Sequence, residues 1–364
     1  MFARVLRGAL WAASASVVGF YLFFAIRRLV SPGPLEPGES VFLDHAIRLA
    51  HLRPLYDDPG HVIPVSVMPA LPLTLSVLVQ ALGPQTWEPR LVSLIGFLAL
   101  AMLVLTVVRA ETESWTLGVV GAALTLAGCG ILAGPPGLAR PEALTLVLCV
   151  TGLLALRDIE GIPGALIAAL LLSVACFTQQ IALWFVAAAT IHLAREERRR
   201  VIPFLLGFAV LGGGGYMLLS RFLGGWFNFY AWDAALATLR VDPAGLFHVA
   251  GDQLLGRMGI LIVAALLSCA LPTPAWRGPG GVWTWMGIAA VAAGLFGSQT
   301  GAGPSGLIPA IIAGALIGPI AAHHVAEHLA AWPGSSRRAG QSAVFATLLL
   351  QLLLYLSAVS PSRL

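Results

Sequence analysis

Three kinds of side chain outside the apolar runs of this sequence could do chemistry: arginines, isolated carboxylates and histidines. Arg53, Arg90 and Arg221 are candidates for contacting a phosphate, because a planar guanidinium offers paired N–H groups to its oxygens. The alternative is that they simply snorkel to a membrane boundary, as long cationic side chains at the ends of apolar runs do. Asp57 and Asp58 could hold ligand hydroxyls or a divalent ion, yet adjacent carboxylates beside Pro59 also read as an ordinary turn, and no metal is indicated. Arg140 and Glu142 flank Pro141 at an expected helix start, where proline suits the first helical position and an acid suits the dipole. They read equally as a functional pair and as a structural link between loops. His324-Val-Ala-Glu-His328 matches an inverted zinc-protease spacing, but no acidic residue follows Glu327 to complete a ligand set, so a solvated helix end is the simpler reading.

All 21 basic residues are arginine. With no lysine, Schiff-base and lysine-nucleophile chemistry is excluded, and a phosphate must be met by arginine, backbone amides or neutral donors. The sequence has no G-x-x-x-x-G-K-[ST] loop, which argues against an ATP-driven pump. Cys129, Cys149, Cys176 and Cys269 lie singly inside apolar stretches and suggest neither a disulfide framework nor a thiolate metal site.

The elements that must position these residues are membrane-spanning. The 364 residues are 58% hydrophobic and only 10% charged, and the mean hydropathy of +0.87 lies outside the range of water-soluble domains. A net charge of +4 forms no continuous basic face, so a nucleic-acid partner is not expected. Apolar segments fall near residues 8–30, 90–108, 116–133, 142–156, 163–177, 180–194, 201–222, 254–271, 282–297, 304–322 and 342–359. They predict a single all-α integral membrane domain over residues 1–364 with about eleven transmembrane helices, because isolated strands cannot satisfy their backbone in lipid. Arg4 and Arg7 precede a first run too long for a signal-peptide core, which reads as an uncleaved anchor. The Gly212–Gly215 run inside the seventh segment suggests close helix packing or a kink.

Val67 to Leu82, short and carrying Pro69 and Pro72, decides the topology. If it does not cross, the N-terminus, Arg109, Arg157, the Arg195–Arg200 run, Arg277 and Arg337-Arg338 share one side, which the positive-inside rule makes cytoplasmic. Segments 31–89, 134–141, 223–253 and 298–303 and the C-terminus then lie outside. Segment 31–89 holds far more polarity than a plain connector needs, and long loops of that content are usually functional. Glu39 to Leu52, with Val41, Leu43, Ile47 and Ala50 among polar residues, fits an amphipathic helix lying at the interface.

Several stretches, in order along most of the chain, resemble the GT-C class of polyprenyl-phosphate-sugar-dependent glycosyltransferases, in the bacterial branch related to protein mannosyltransferases and aminoarabinose transferases. They are Glu39–His51 followed by Pro54-Leu-Tyr-Asp-Asp58 and Met68-Pro-Ala-Leu-Pro72, then Gly83-Pro84 with Arg90-Leu-Val-Ser93, Ala139-Arg-Pro-Glu-Ala-Leu144, Phe177-Thr-Gln-Gln-Ile-Ala182, Gly224–Tyr230 and Gly301–Pro309. The resemblance implies a GT-C-like fold with interfacial helices in a large first outer loop, in a bacterial cytoplasmic membrane, with the active side periplasmic or extracellular. It implies transfer of a sugar from a polyprenyl-phosphate carrier to an acceptor by direct inverting displacement, with membrane lipid and lipid-linked sugar as partners and Glu39 as the single base. Tyr56, Gln179 and Gln180 join Arg53, Asp57, Asp58, Arg90, Arg140, Glu142 and Arg221 as implied substrate-binding residues.

Three departures from the family pattern stand out. Gly38-Glu39 stands where the family has Asp-Glu, and Gln179 replaces a lysine. The chain also stops at Ser362-Arg-Leu364, with no soluble C-terminal domain where many relatives continue into one, so a partner membrane or soluble outer subunit is a further expectation. A non-catalytic relative that binds lipid-linked sugar, and a transporter or flippase of a lipid-linked precursor, are the competing readings.

Overall fold

In the computed structural model the described residues are 2–33, 35, 37–60, 68–132, 141–239, 242–270, 281–299, 306–331 and 337–357. Arg140 and Arg277 lie outside them, as do most of 134–141 and of 298–303. The chain is all-α among these residues. In order it runs α1 (Phe2–Leu29), α2 (Pro37–Ala50), α3 (Ala70–Leu82), α4 (Trp87–Thr112), α5 (Trp115–Leu132), α6 (Pro141–Asp158), α7 (Gly161–Cys176), α8 (Ala182–Glu196) and α9 (Arg198–Phe208). A π-helical turn, Ala209–Gly214, joins α9 to α10 (Gly215–Phe222). After a second such turn, Phe229–Asp233, come α11 (Ala234–Thr238), α12 (Pro243–His248), a third π turn and α13 (Gly256–Ala270), followed by α14 (Gly281–Gly297), α15 (Ile308–Ala330) and α16 (Arg337–Ser357).

Each apolar segment expected to span coincides with a helix, and five of these helices are long and apolar enough to cross by themselves: α1, α4, the α9–α10 unit, α15 and α16. α15 is the most enclosed of the five and packs against α4, α5, α13, α14 and α16. Glycines allow the close approaches. A Cβ at Gly118 of α5 would sit 2.8 Å from the Leu105 carbonyl oxygen of α4, and one at Gly128 would overlap the Ile311 side chain of α15. At Gly212–Gly215, where close packing or a kink is expected, the helix has its π turn, and Gly212 lies close to Phe208 and Ser173.

α3 has 13 residues, about 20 Å at 1.5 Å per residue, against a hydrocarbon core of about 30 Å. It packs on α2: Ala46 of α2 is buried with Leu71, Leu75 and Val79 of α3, flanked by Phe42, Leu43 and Ile47. The apolar face of α2 therefore rests on α3, because α3 offers a matching apolar stripe one loop away.

The two ends of the helix bundle differ in chemistry. At one, arginines meet tryptophans: Arg109 over Trp115 at 3.8 Å, Arg195 over Trp285 at 4.9 Å and Arg157 over Trp283 at 5.7 Å. There Glu111 accepts from both Trp283 Nε1 and Arg157 Nη2 at 2.8 Å. At the other end α2, α3 and the segment after α10 cover the helix termini.

Candidate functional site

The covered end is built on Arg90, in the first turn of α4. Its side chain is 0% exposed and Glu39, in the first turn of α2, is 2% exposed. Arg90 Nη2 lies 2.8 Å from Glu39 Oε2, and Nε donates to Oε1 at 3.0 Å. Nη1 donates to the carbonyls of Arg28 at 2.8 Å and Ser31 at 2.9 Å, and Nη2 also donates to the Gly33 carbonyl. All the N–H groups of a guanidinium are thereby used. Glu39 Oε2 additionally accepts from the Leu35 amide at 2.8 Å. Arg28 belongs to the last turn of α1, whose carbonyls have no partner within the helix and sit at the negative end of its dipole, so Arg90 also caps α1. Gly33, at φ +75°, turns its carbonyl into this cluster in a conformation that side chains disfavour. Glu39 and Arg90 are thus paired with each other, and the cluster fastens α2 to α1 and α4.

The second feature is an aromatic seam between the segment that follows α2 and the one that follows α10. Leu55, Tyr56 and Met68 from the first pack with Phe227, Tyr230 and Ala231 from the second, beside Phe177. Tyr56 stacks on Tyr230 at 5.3 Å between ring centres and touches Phe227 at 5.6 Å. His45 of α2 meets Tyr56 and Tyr230 edge-on at 6.3 and 6.5 Å. Asp57 and Asp58 follow Tyr56 at the exposed rim, where Arg48 lies 3.6 Å from Asp57 and 3.0 Å from Asp44. The two aspartates form the turn read from sequence: Asp57 Oδ1 accepts from the Asp58 amide and Asp58 Oδ1 from the Gly60 amide.

The third feature is the elbow between α7 and α8, residues 177–181. The Phe177 carbonyl accepts from the Ala70 amide at 2.9 Å, fixing the start of α3. Gln179 Nε2 reaches buried Glu142 Oε1 at 3.5 Å, and Gln180 Nε2 donates to the Ala231 carbonyl. One short elbow therefore ties together α3, the start of α6 and the segment that follows α10.

Of the residues singled out in the sequence, Tyr56, Asp57 and Asp58 fall on the seam, Glu142, Gln179 and Gln180 at the elbow, and Glu39 with Arg90 in the clasp. The side chains of Arg53 and Arg221 are exposed with no hydrogen-bond or ion-pair partner among the described residues, while the Arg53 amide donates to the Arg48 carbonyl at 2.8 Å. Arg140 lies outside the described residues. Sequence reasoning missed His45 and Tyr230 as site residues. Their signal was the unusual density of aromatic side chains at 226–230 in a polar connector. No group of three His, Cys, Asp or Glu side chains suited to a metal occurs among the described residues. An apolar cleft of about 440 Å³, lined by Ile260, Val263, Leu267, Val325 and Val344, lies where α15 ends and α16 begins, away from these features.

No family model matches the sequence, and no curated protein matches it. Solved structures do resemble it in fold. ArnT from Cupriavidus metallidurans in the apo state superposes with a TM-score of 0.61 at 12% identity, covering 94% of this chain and 76% of that one. The same protein bound to undecaprenyl phosphate gives 0.54 at 13% identity over the same shares. The chain shares the all-helical membrane fold of ArnT.

Proposed function

We propose that this chain is a glycosyltransferase that moves a sugar from a polyprenyl-phosphate carrier to an acceptor at the outer face of a bacterial cytoplasmic membrane. The observation that carries the reading is the elbow at Gln179-Gln180, which gathers α3, Glu142 and the aromatic seam into one polar and aromatic surface at a single end of a GT-C fold. The ArnT structure with undecaprenyl phosphate supports a polyprenyl phosphate as the lipid. Arginines with tryptophans at the opposite end support a cytoplasmic placement of that end, and with it of the N-terminus.

Transfer by displacement needs a group to take the acceptor proton, donors for the leaving phosphate and a surface for the sugar. In this reading Asp57, Asp58 and the Tyr56–Tyr230 stack hold the sugar, while Gln179, Gln180, Arg140, Arg53 and Arg221 supply neutral and cationic donors to the phosphate. Glu142 orients Gln179. Glu39 and Arg90 hold α2 to α1 and α4 and so position the first outer segment.

A second reading, a non-catalytic relative that binds lipid-linked sugar for a partner enzyme, is favoured by one observation: the acid matching the family's base is engaged with Arg90. Glycolipid and glycan profiling of a strain lacking the chain separates the two. The enzyme reading expects a sugar missing from the profile, restored by the native chain, and transfer by the purified chain from an undecaprenyl-phosphate-linked sugar. Restoration in cells with no transfer by the purified chain would favour the non-catalytic reading.

A further inference from the structure

Two buried polar atoms at the seam have no hydrogen-bond partner among the described residues: His45 Nε2 and Tyr230 Oη. His45 is 1% exposed and Tyr230 0%. A polar atom buried without a partner is costly, so two on neighbouring rings from different segments call for an explanation. His45 Nδ1 lies 2.7 Å from the Val41 carbonyl, which can only accept, so the proton sits on Nδ1 and the neutral ring presents a lone pair at Nε2. Burial pushes the imidazole below its ordinary value and keeps it neutral. Burial, with Asp57 and Asp58 nearby, pushes the Tyr230 hydroxyl up, so it stays a donor. The charged and titratable groups around the pair are Asp44 and Arg48 on α2, Tyr56, Asp57 and Asp58 in the turn after it, and Tyr230 itself. One acceptor lone pair beside one O–H is the complement of an alcohol.

We infer that His45 Nε2 and Tyr230 Oη form a hydroxyl-binding subsite at the seam, in which His45 takes the proton of the acceptor hydroxyl. The inference rests on the glycosyltransferase reading. The acceptor O–H donates to Nε2 and its oxygen accepts from Tyr230. As that oxygen bonds to the anomeric carbon, its proton passes to Nε2, and the bond from the anomeric carbon to the phosphate oxygen breaks. The electron pair leaves with the polyprenyl phosphate, and the imidazolium later returns its proton to water. Entry of the hydroxyl requires Tyr56 and Tyr230 to part, and they are held by side-chain stacking between two separate segments.

The test pairs turnover with a chemical readout that needs none. Diethyl pyrocarbonate acylates neutral imidazole, and mass spectrometry of the treated native protein locates the product. The expected result is modification at His45 as well as at exposed His51 and His248, with His45 protected by undecaprenyl-phosphate-linked sugar and by no amount of undecaprenyl phosphate alone. His45→Gln is expected to lower kcat about 100-fold or more with the KM for the donor little changed, the usual scale of a lost general base. Tyr230→Phe is expected to raise the acceptor KM. If His45 stays unmodified while His51 and His248 react, if the sugar gives no protection, or if His45→Gln turns over normally, the inference is overturned. If the native chain transfers no sugar from any such donor, the functional reading fails instead, and sugar-dependent protection still decides whether the subsite binds hydroxyls.

Discussion

Glu39 and Arg90, separated by 51 positions in the sequence, meet at 2.8 Å with both side chains out of contact with solvent. The guanidinium also holds the carbonyl of Arg28 at the end of α1 and those of Ser31 and Gly33 after it, so the pair joins three helices and the linker between two of them. Removing one member of such a pair leaves a buried charge or several buried donors without partners. Arg90→Ala is expected to cost about 3–5 kcal/mol, seen as a lower unfolding midpoint in detergent. Arg90→Lys should recover little, because an ammonium cannot reproduce the planar fork. Glu39→Gln should lower the midpoint as well, and any loss of glycan product in that variant should track the loss of folded protein.

Gln179 stands beside Glu142 where the resembled family has a lysine. Gln179→Lys is expected to tighten binding of undecaprenyl phosphate by about tenfold, since one charge-assisted bond is worth about 1.5 kcal/mol or more. Lipid titration followed by intrinsic tryptophan fluorescence would measure it.

Phe227 is wholly buried at the seam between Tyr56 and Tyr216. Phe227→Ala should cost about 3–5 kcal/mol locally and release the two segments of the seam from each other. Limited proteolysis should then cut within 51–60 and 223–239 faster than in the native chain, while sites at the opposite end keep their rates.

Two glycine substitutions should behave oppositely. Gly128→Ala would drive a methyl group into Ile311, an overpacking defect of about 1–3 kcal/mol. Gly213→Ala meets nothing within 4 Å and should be neutral or stabilising. Thermal unfolding of the two variants side by side checks the contrast.

The His45 imidazole is held below its ordinary value of 6.5 by burial. Below that pH the unfolded chain takes up a proton that the folded chain resists. The stability tied to this group is therefore complete above pH 6.5 and falls as the pH drops toward the folded value. Unfolding midpoints between pH 7.5 and 5.5 should decline in the native chain and decline less in His45→Gln.

The bundle was legible in the sequence because hydropathy fixes spans with little help from context, and the amphipathic pattern of Glu39–Leu52 marked α2. What that pattern left open was the surface its apolar face would meet, which depends on the Leu71, Leu75 and Val79 stripe of a different helix. Of the candidate site, the polar segment 31–89 and the Phe177–Ala182 stretch were legible. Pairing Glu39 with Arg90 was not, since nothing local links residues so far apart. His45 and Tyr230 escaped for a related reason: a single histidine and an aromatic run each have a bland packing explanation until the fold puts them side by side.

Between α1 and α2, the carbonyls of Ser31 and Gly33 are committed to Arg90 and the amide of Leu35 to Glu39. Connecting segments ordinarily tolerate insertions and deletions. Here adding or removing a single residue would rotate those groups away from Arg90 and Glu39, so the length of this linker is under as tight a constraint as the identity of any residue in a packed helix.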